Sequence, residues 1–233
     1  DRWTLVIGNG AFQYKTLANL PYTVADAESL HRVFAQRYAV DPAWSLLLVD
    51  RDAAEFREEF QKFLPQVTQP MQLVVAVFGH GYLGPDGKAY IAFKDFRWSE
   101  LATSAIPLES LVDALERCPA EEKILLLDLV HRESGTDVKQ ADLPKLLGSM
   151  KLKTLKIIGA SSEGERSAAT SDGRRGWFGT QLDQAFSGRA DSDRNLRITS
   201  AELMSALDAA AFSTETPATQ HPFLWANEET PAL

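Results

Sequence analysis

Two short apolar runs limit what this chain can fold into. Residues 124–127 (Ile-Leu-Leu-Leu) and 73–78 (Leu-Val-Val-Ala-Val-Phe) carry no polar alternation, so each reads as a strand buried on both faces. Strands of that kind belong to sheets covered by helices on both sides. The first run ends at Asp128, which places a carboxylate at the C-terminal edge of its strand, where open α/β sheets bind ligands and do chemistry. The second ends in Gly79-His80-Gly81, where two glycines are expected to turn the backbone sharply and expose the imidazole. Two such strand ends side by side make a cleft.

The remaining pattern supplies the other layers. Residues 3–7 form an apolar strand followed by the turn Gly8-Asn9-Gly10. Thr23 reads as an N-cap with Asp26 three residues on, opening a helix whose apolar stripe includes Ala27, Leu30, Val33 and Phe34. Residues 46–49 make a short strand, and residues 53–64 an amphipathic helix with Phe56, Phe60, Phe63 and Leu64 on its core side. Strand, helix, strand, helix, strand in that order predicts a mainly parallel sheet. Pro85-Asp86-Gly87 marks a hairpin turn beside the cleft. Helices are expected over 108–115 and, after the capped turn, up to about Ala211, and strands over 155–160 and 221–225.

With 233 residues, 45% of them hydrophobic, the chain builds one sizeable core, and residues 1–233 are read as a single domain. A net charge of −8 disfavours nucleic acid and anionic membrane surfaces, both of which need basic patches, and leaves peptides or proteins as partners. The single cysteine, Cys118, excludes an internal disulfide framework and any cysteine-based metal site. No apolar run reaches the 18 residues a membrane span requires, and no signal peptide is visible. A start almost directly in a strand fits a domain excised from a longer chain. The compartment stays open, and no cofactor is expected.

A glycine-flanked His followed, 130 − 80 = 50 residues later, by the residue after a buried strand and its Asp is the layout of caspases, whose His-to-Cys separation is about 50. The chain resembles the caspase-like cysteine peptidases, especially their bacterial and metacaspase-like branch, over residues 3–225. The resemblance implies a three-layer α/β/α sandwich around a mainly parallel central sheet. The family's Asp-Ala-Cys-(His/Arg)-Ser-Gly stands here as Asp128-Leu129-Val130-His131-Arg132-Glu133-Ser134-Gly135, so His80 keeps the base position while Val130 occupies that of the nucleophile. In metacaspase-like relatives two acids matching Asp26 and Asp128 form the pocket for an Arg or Lys side chain. Independently of the family, Asp26 suits the positive end of a helix and Asp128 can accept backbone N–H groups at a strand end. The strand ending in Ala160-Ser161 and the polar loop after it match the family's cleft loop, which makes Ser161 a lining residue and sets Arg174 and Arg175 near the rim.

Valine has no lone pair to attack a carbonyl, and a catalytic unit without its nucleophile loses on the order of 10⁶ in turnover. The expected activity is therefore not proteolysis but binding or regulation: a pseudoenzyme that holds a peptide or protein segment with a basic residue, or pairs with a caspase-like relative. Two alternatives stand beside it. One is an endopeptidase cutting after Arg or Lys with Ser134 as nucleophile, Cys118 being a poorer choice on the far side of its strand. The other is a scaffold module of a larger bacterial protein, its cleft empty of ligand. Residues 191–202 place oxygens where an EF-hand loop has them, but Leu196 stands at the glycine position. A turn capped by Thr199 and Glu202 is the reading, with no metal assigned.

Overall fold

The computed structural model of the protein describes residues 2–14, 17–130, 143–148, 150, 152–162, 164–212 and 220–226. In chain order the elements are β1 (Arg2–Gly8), α1 (Pro21–Arg37), β2 (Ser45–Val49), α2 (Ala53–Phe63), β3 (Gln72–Leu83), β4 (Ala89–Ala92), α3 (Leu101–Ser104), β5 (Ala105–Pro107), α4 (Leu108–Arg117), β6 (Glu122–Val130), α5 (Leu143–Gly148), β7 (Leu155–Gly159), α6 (Trp177–Gln184), α7 (Ser200–Ala211) and β8 (Phe223–Trp225). The main sheet has the order β2-β1-β3-β6-β7-β8. All pairs along it are parallel except β7 with β8. The expected hairpin is present: β3 turns back into β4, with Tyr82 opposite Tyr90 and Leu83 opposite Ala89.

Strand alternation divides the core into two layers. Leu73, Val75 and Val77 of β3 and Leu125 and Leu127 of β6 pack on α2, α4 and α5. Val74, Ala76 and Phe78, with Ile124 and Leu126, pack on α1, α6 and α7. This is the three-layer α/β/α sandwich with a mostly parallel sheet. No described helix is long and apolar enough to cross a membrane.

Three local expectations are corrected. Thr23 does not cap α1. The helix starts at Pro21, whose missing N–H suits the first helical position, and Thr23 instead donates its hydroxyl to the Asn9 and Leu20 carbonyls. Gly79-His80-Gly81 is not a turn, because β3 runs through it and pairs with β6 as far as His80 opposite Val130. The glycines serve close packing: a Cβ at Gly81 would stand 2.8 Å from the Leu129 Cβ, and one at Gly79 would stand 3.2 Å from the Asn9 Cβ. Finally, the strand through Asp128 does not end there but continues to Val130.

Candidate functional site

By the same alternation His80, Asp128 and Val130 all belong to the α1/α6 face of the sheet. His80 is wholly buried, at 0% exposure. Its Nδ1 lies 3.0 Å from the Val130 carbonyl oxygen and its Nε2 lies 2.9 Å from that of Ala18. Phe12 and Tyr82 flank the ring, with centroids 5.2 and 5.5 Å away. A carbonyl oxygen only accepts, so a ring nitrogen without a proton has its lone pair turned toward a carbonyl and not toward open space. The Val130 side chain is buried as well. It packs with Leu20 and Tyr22, and Ala169 closes the cluster from outside. Val130 and these neighbours thus form a small apolar plug beside His80.

The two acids are also brought together, but not as an open pocket. Asp26, on α1, is fully buried, and Asp128 is 1% exposed. Between them lies the backbone of Gly176, where an added Cβ would come within 2.4 Å of Asp26 Oδ2 and 3.5 Å of Asp128 Oδ2. Gly176 N–H donates to Asp26 Oδ2 at 2.8 Å. Arg175 donates through Nε to Asp26 Oδ1 and through Nη2 to Asp183 Oδ2, the latter at 2.8 Å. The Ser29 hydroxyl donates to the same Asp183 oxygen. Arg175, expected near the rim, therefore reaches inward and supplies the guanidinium that the acidic residues attract.

A short hairpin aims Arg175. Ala169 and Gly176 form an antiparallel bridge, and Thr170 N–H donates to the Arg175 carbonyl at 2.8 Å. Gly173 turns the hairpin at φ +67, a conformation that favours glycine. The sequence offered a signal for this closure that composition alone hides. Gly176 and Gly179 lie on consecutive turns at the start of α6, and at Gly179 a Cβ would meet Asp26 Cγ at 2.4 Å. Two glycines at that spacing mark a helix face that something approaches closely.

Burial pushes the Asp26 carboxyl up to about 6, against the pull of the Arg175 guanidinium and the Gly176 N–H. Asp128 goes further, to about 7: burial dominates, the Ser167 hydroxyl pulls back, and the charge on Asp26 adds to the rise. Asp128 Oδ1 has no hydrogen-bond partner among the described residues. Ser161 stands behind this pair, its hydroxyl 3.0 Å from that of Ser167. The chain of contacts from Ser161 through Ser167 to Asp128 was not legible in the sequence, because Ser167 belongs to no motif.

The other candidates fall apart from this cluster. Cys118 is buried in the core layer on the opposite face of the sheet. Ser134, like His131, Arg132 and Glu133, lies outside the described residues. Asp191, Asp193 and Glu202 each bring one oxygen to within 4.8 Å of the others. All three also act as turn acceptors: Asp191 and Asp193 accept from Asn195 N–H, and Glu202 shares a capping box with Thr199. Leu196 adopts φ +66 at the position where an EF-hand loop has glycine.

A family model described as the caspase domain matches residues 1–230. Among solved structures, caspase-1 from Spodoptera frugiperda is 15% identical with a TM-score of 0.65, covering 97% of this chain and 86% of its own. A Geobacter sulfurreducens protein is 14% identical with a TM-score of 0.67, covering 99% and 95%. At these identities the likeness is one of fold. No curated protein matches the chain.

Proposed function

Because this chain belongs to the caspase-domain family, we propose that it is a pseudopeptidase, a domain that keeps the fold without hydrolysis and acts by binding protein partners. The observation that carries this reading is the pairing of a fully buried His80, faced by carbonyls at both ring nitrogens, with a buried valine at the register position of the nucleophile. A general base must reach the proton it removes, directly or through one water, and a nucleophile must reach its carbonyl. Neither condition is met by residues sealed in this way. Asp26, Arg175 and Asp183 form a closed internal lock, so partner recognition falls to the outer surface of the domain, or to a basic peptide that competes with Arg175 for the acids.

The deciding experiment is hydrolysis of fluorogenic peptides bearing Arg, Lys or Asp before the cleavable bond, by the natural protein and by His80→Ala. The reading expects both to match the blank. Turnover by the natural protein that disappears in His80→Ala would establish a peptidase and make Ser134 the residue to substitute next.

A further inference from the structure

The sheet has another end, opposite His80 and Asp128. Arg2, Gln72 and Glu122 are the first residues of β1, β3 and β6, and they stand in register across the sheet. Behind them a cavity of about 330 Å³ opens between the sheet and the helices on its α1/α7 face. Small organic ligands occupy sites of roughly 300 to 1,000 Å³, mostly apolar with a few convergent polar groups. This one meets the lower size limit and joins an apolar floor to a polar mouth. Phe34, Val74, Ile124, Phe186 and Leu203 line its interior, and Arg2, Gln72, Glu122 and Arg197 stand around its mouth.

The charge of the mouth runs against that of the chain. In a protein of net charge −8, the lining holds two arginines and one acid. The acid accepts from Gln72 Nε2, and it also acts electrostatically on Arg2. Arg2 is held in place: its Nε and Nη2 donate to Gln72 Oε1 at 3.0 and 2.7 Å, and its guanidinium lies 4.7 Å from the Tyr38 ring centroid. Among the described residues nothing accepts from Arg2 Nη1, and the exposed Arg197 guanidinium makes no hydrogen bond or ion pair. An apolar interior under two guanidinium groups with donors to spare fits an amphipathic anion. Glu122 beside the mouth disfavours a doubly charged phosphate head and leaves a singly charged one.

We propose that this cavity binds a single-chain carboxylate, its alkyl tail among Phe34, Ile124 and Leu203 and its head on Arg2 and Arg197. The site lies at the far end of the strands that carry His80 and Asp128, and it does not depend on whether the cleft is silent.

The test is titration calorimetry of the whole protein with decanoate, decanol, decylammonium and decyl phosphate. Decanoate is expected to bind at least about tenfold more tightly than decanol, with no binding of decylammonium, because charged hydrogen bonds supply the difference. Arg197→Gln, at an exposed residue, should weaken decanoate by about tenfold or more while leaving decanol unchanged. Ile198→Trp should fill the mouth and abolish both, with circular dichroism and thermal unfolding confirming that it is folded. The proposal is overturned by any of four results: no binding of decanoate up to about 1 mM, equal affinity for decanol, no effect of Arg197→Gln, or a preference for decyl phosphate.

Discussion

His80 Nδ1 lies 3.0 Å from the carbonyl oxygen of Val130, the residue it faces in register across β3 and β6. On the proposed reading, the imidazole is engaged by the backbone of the residue at the nucleophile position. On that reading a thiol introduced at this position is not expected to bring hydrolysis by itself. Val130→Cys places a thiol among Leu20 and Tyr22, where burial among apolar side chains favours the protonated, inert form. Peptide hydrolysis by Val130→Cys is expected to stay at the blank, and iodoacetamide should label the new thiol slowly in the folded protein and fast in urea. Cleavage after Arg or Lys by this single variant would mean that the site opens in solution.

The Arg175 side chain is one quarter exposed, whereas the Asp26 side chain is not exposed at all. Removing the arginine leaves a buried carboxylate without its cation, the costly half of breaking a buried pair. Arg175→Ala should lower stability to urea by about 2–4 kcal/mol, and adding Asp26→Asn should recover part of that loss because the stranded charge goes with it. If Arg175→Ala falls within about 0.5 kcal/mol of the natural protein, the lock contributes nothing and the acids are free to take another cation.

Much of this architecture was legible because it follows from periodicity. The apolar runs at 73–78 and 124–127, the hairpin at Pro85-Asp86-Gly87 and the Thr199/Glu202 cap all appear where their patterns place them. What the sequence concealed is whether a cleft is open. Gly79 and Gly81 read as a turn because glycine permits one, yet neither has a positive φ, and both make room for the side chains of Asn9 and Leu129. The same residue type serves a bend or a close approach, and only the neighbouring strands decide between them. Asp26 was legible as an acid near the strand ends, but Asp183, the second acid that Arg175 engages, was not. That the guanidinium comes from Arg175 depends on a hairpin fixed by long-range packing, which no local pattern encodes.

Gly179 lies inside α6, where alanine ordinarily stabilises a helix by nearly 1 kcal/mol. Here the sign should reverse. The added Cβ would stand 2.4 Å from Asp26 Cγ and 2.7 Å from Asp26 Cβ, so α6 must move away from α1 or Asp26 must leave its position. Gly179→Ala is expected to cost about 1–3 kcal/mol, the range of overpacked cores, as measured by thermal unfolding. A stabilised Gly179→Ala variant would show that α1 and α6 are not packed through Asp26.

The two buried carboxyls also set a direction for the pH dependence. Held at about 6 and about 7 against an ordinary value of 3.8, Asp26 and Asp128 bind protons more tightly in the folded chain than in the unfolded one. Their stabilising effect is complete below about pH 4 and is lost as pH rises through 6 and 7. Glu116 and Glu165 act oppositely. Burial raises each, but hydrogen bonds outweigh it and hold both below the usual 4.5, so their contribution is present above that pH and lost below it. The sum predicts a melting temperature that peaks near pH 5 and declines toward pH 8. Asp128→Asn removes the larger of the two rising groups. It should flatten the decline and, at pH 8, leave the variant more stable than the natural protein by up to roughly 4 kcal/mol, with little difference at pH 4. A natural protein whose stability holds level or climbs from pH 5 to pH 8, or a variant whose profile runs parallel to it, would mean that Asp128 is charged and solvated in the folded state.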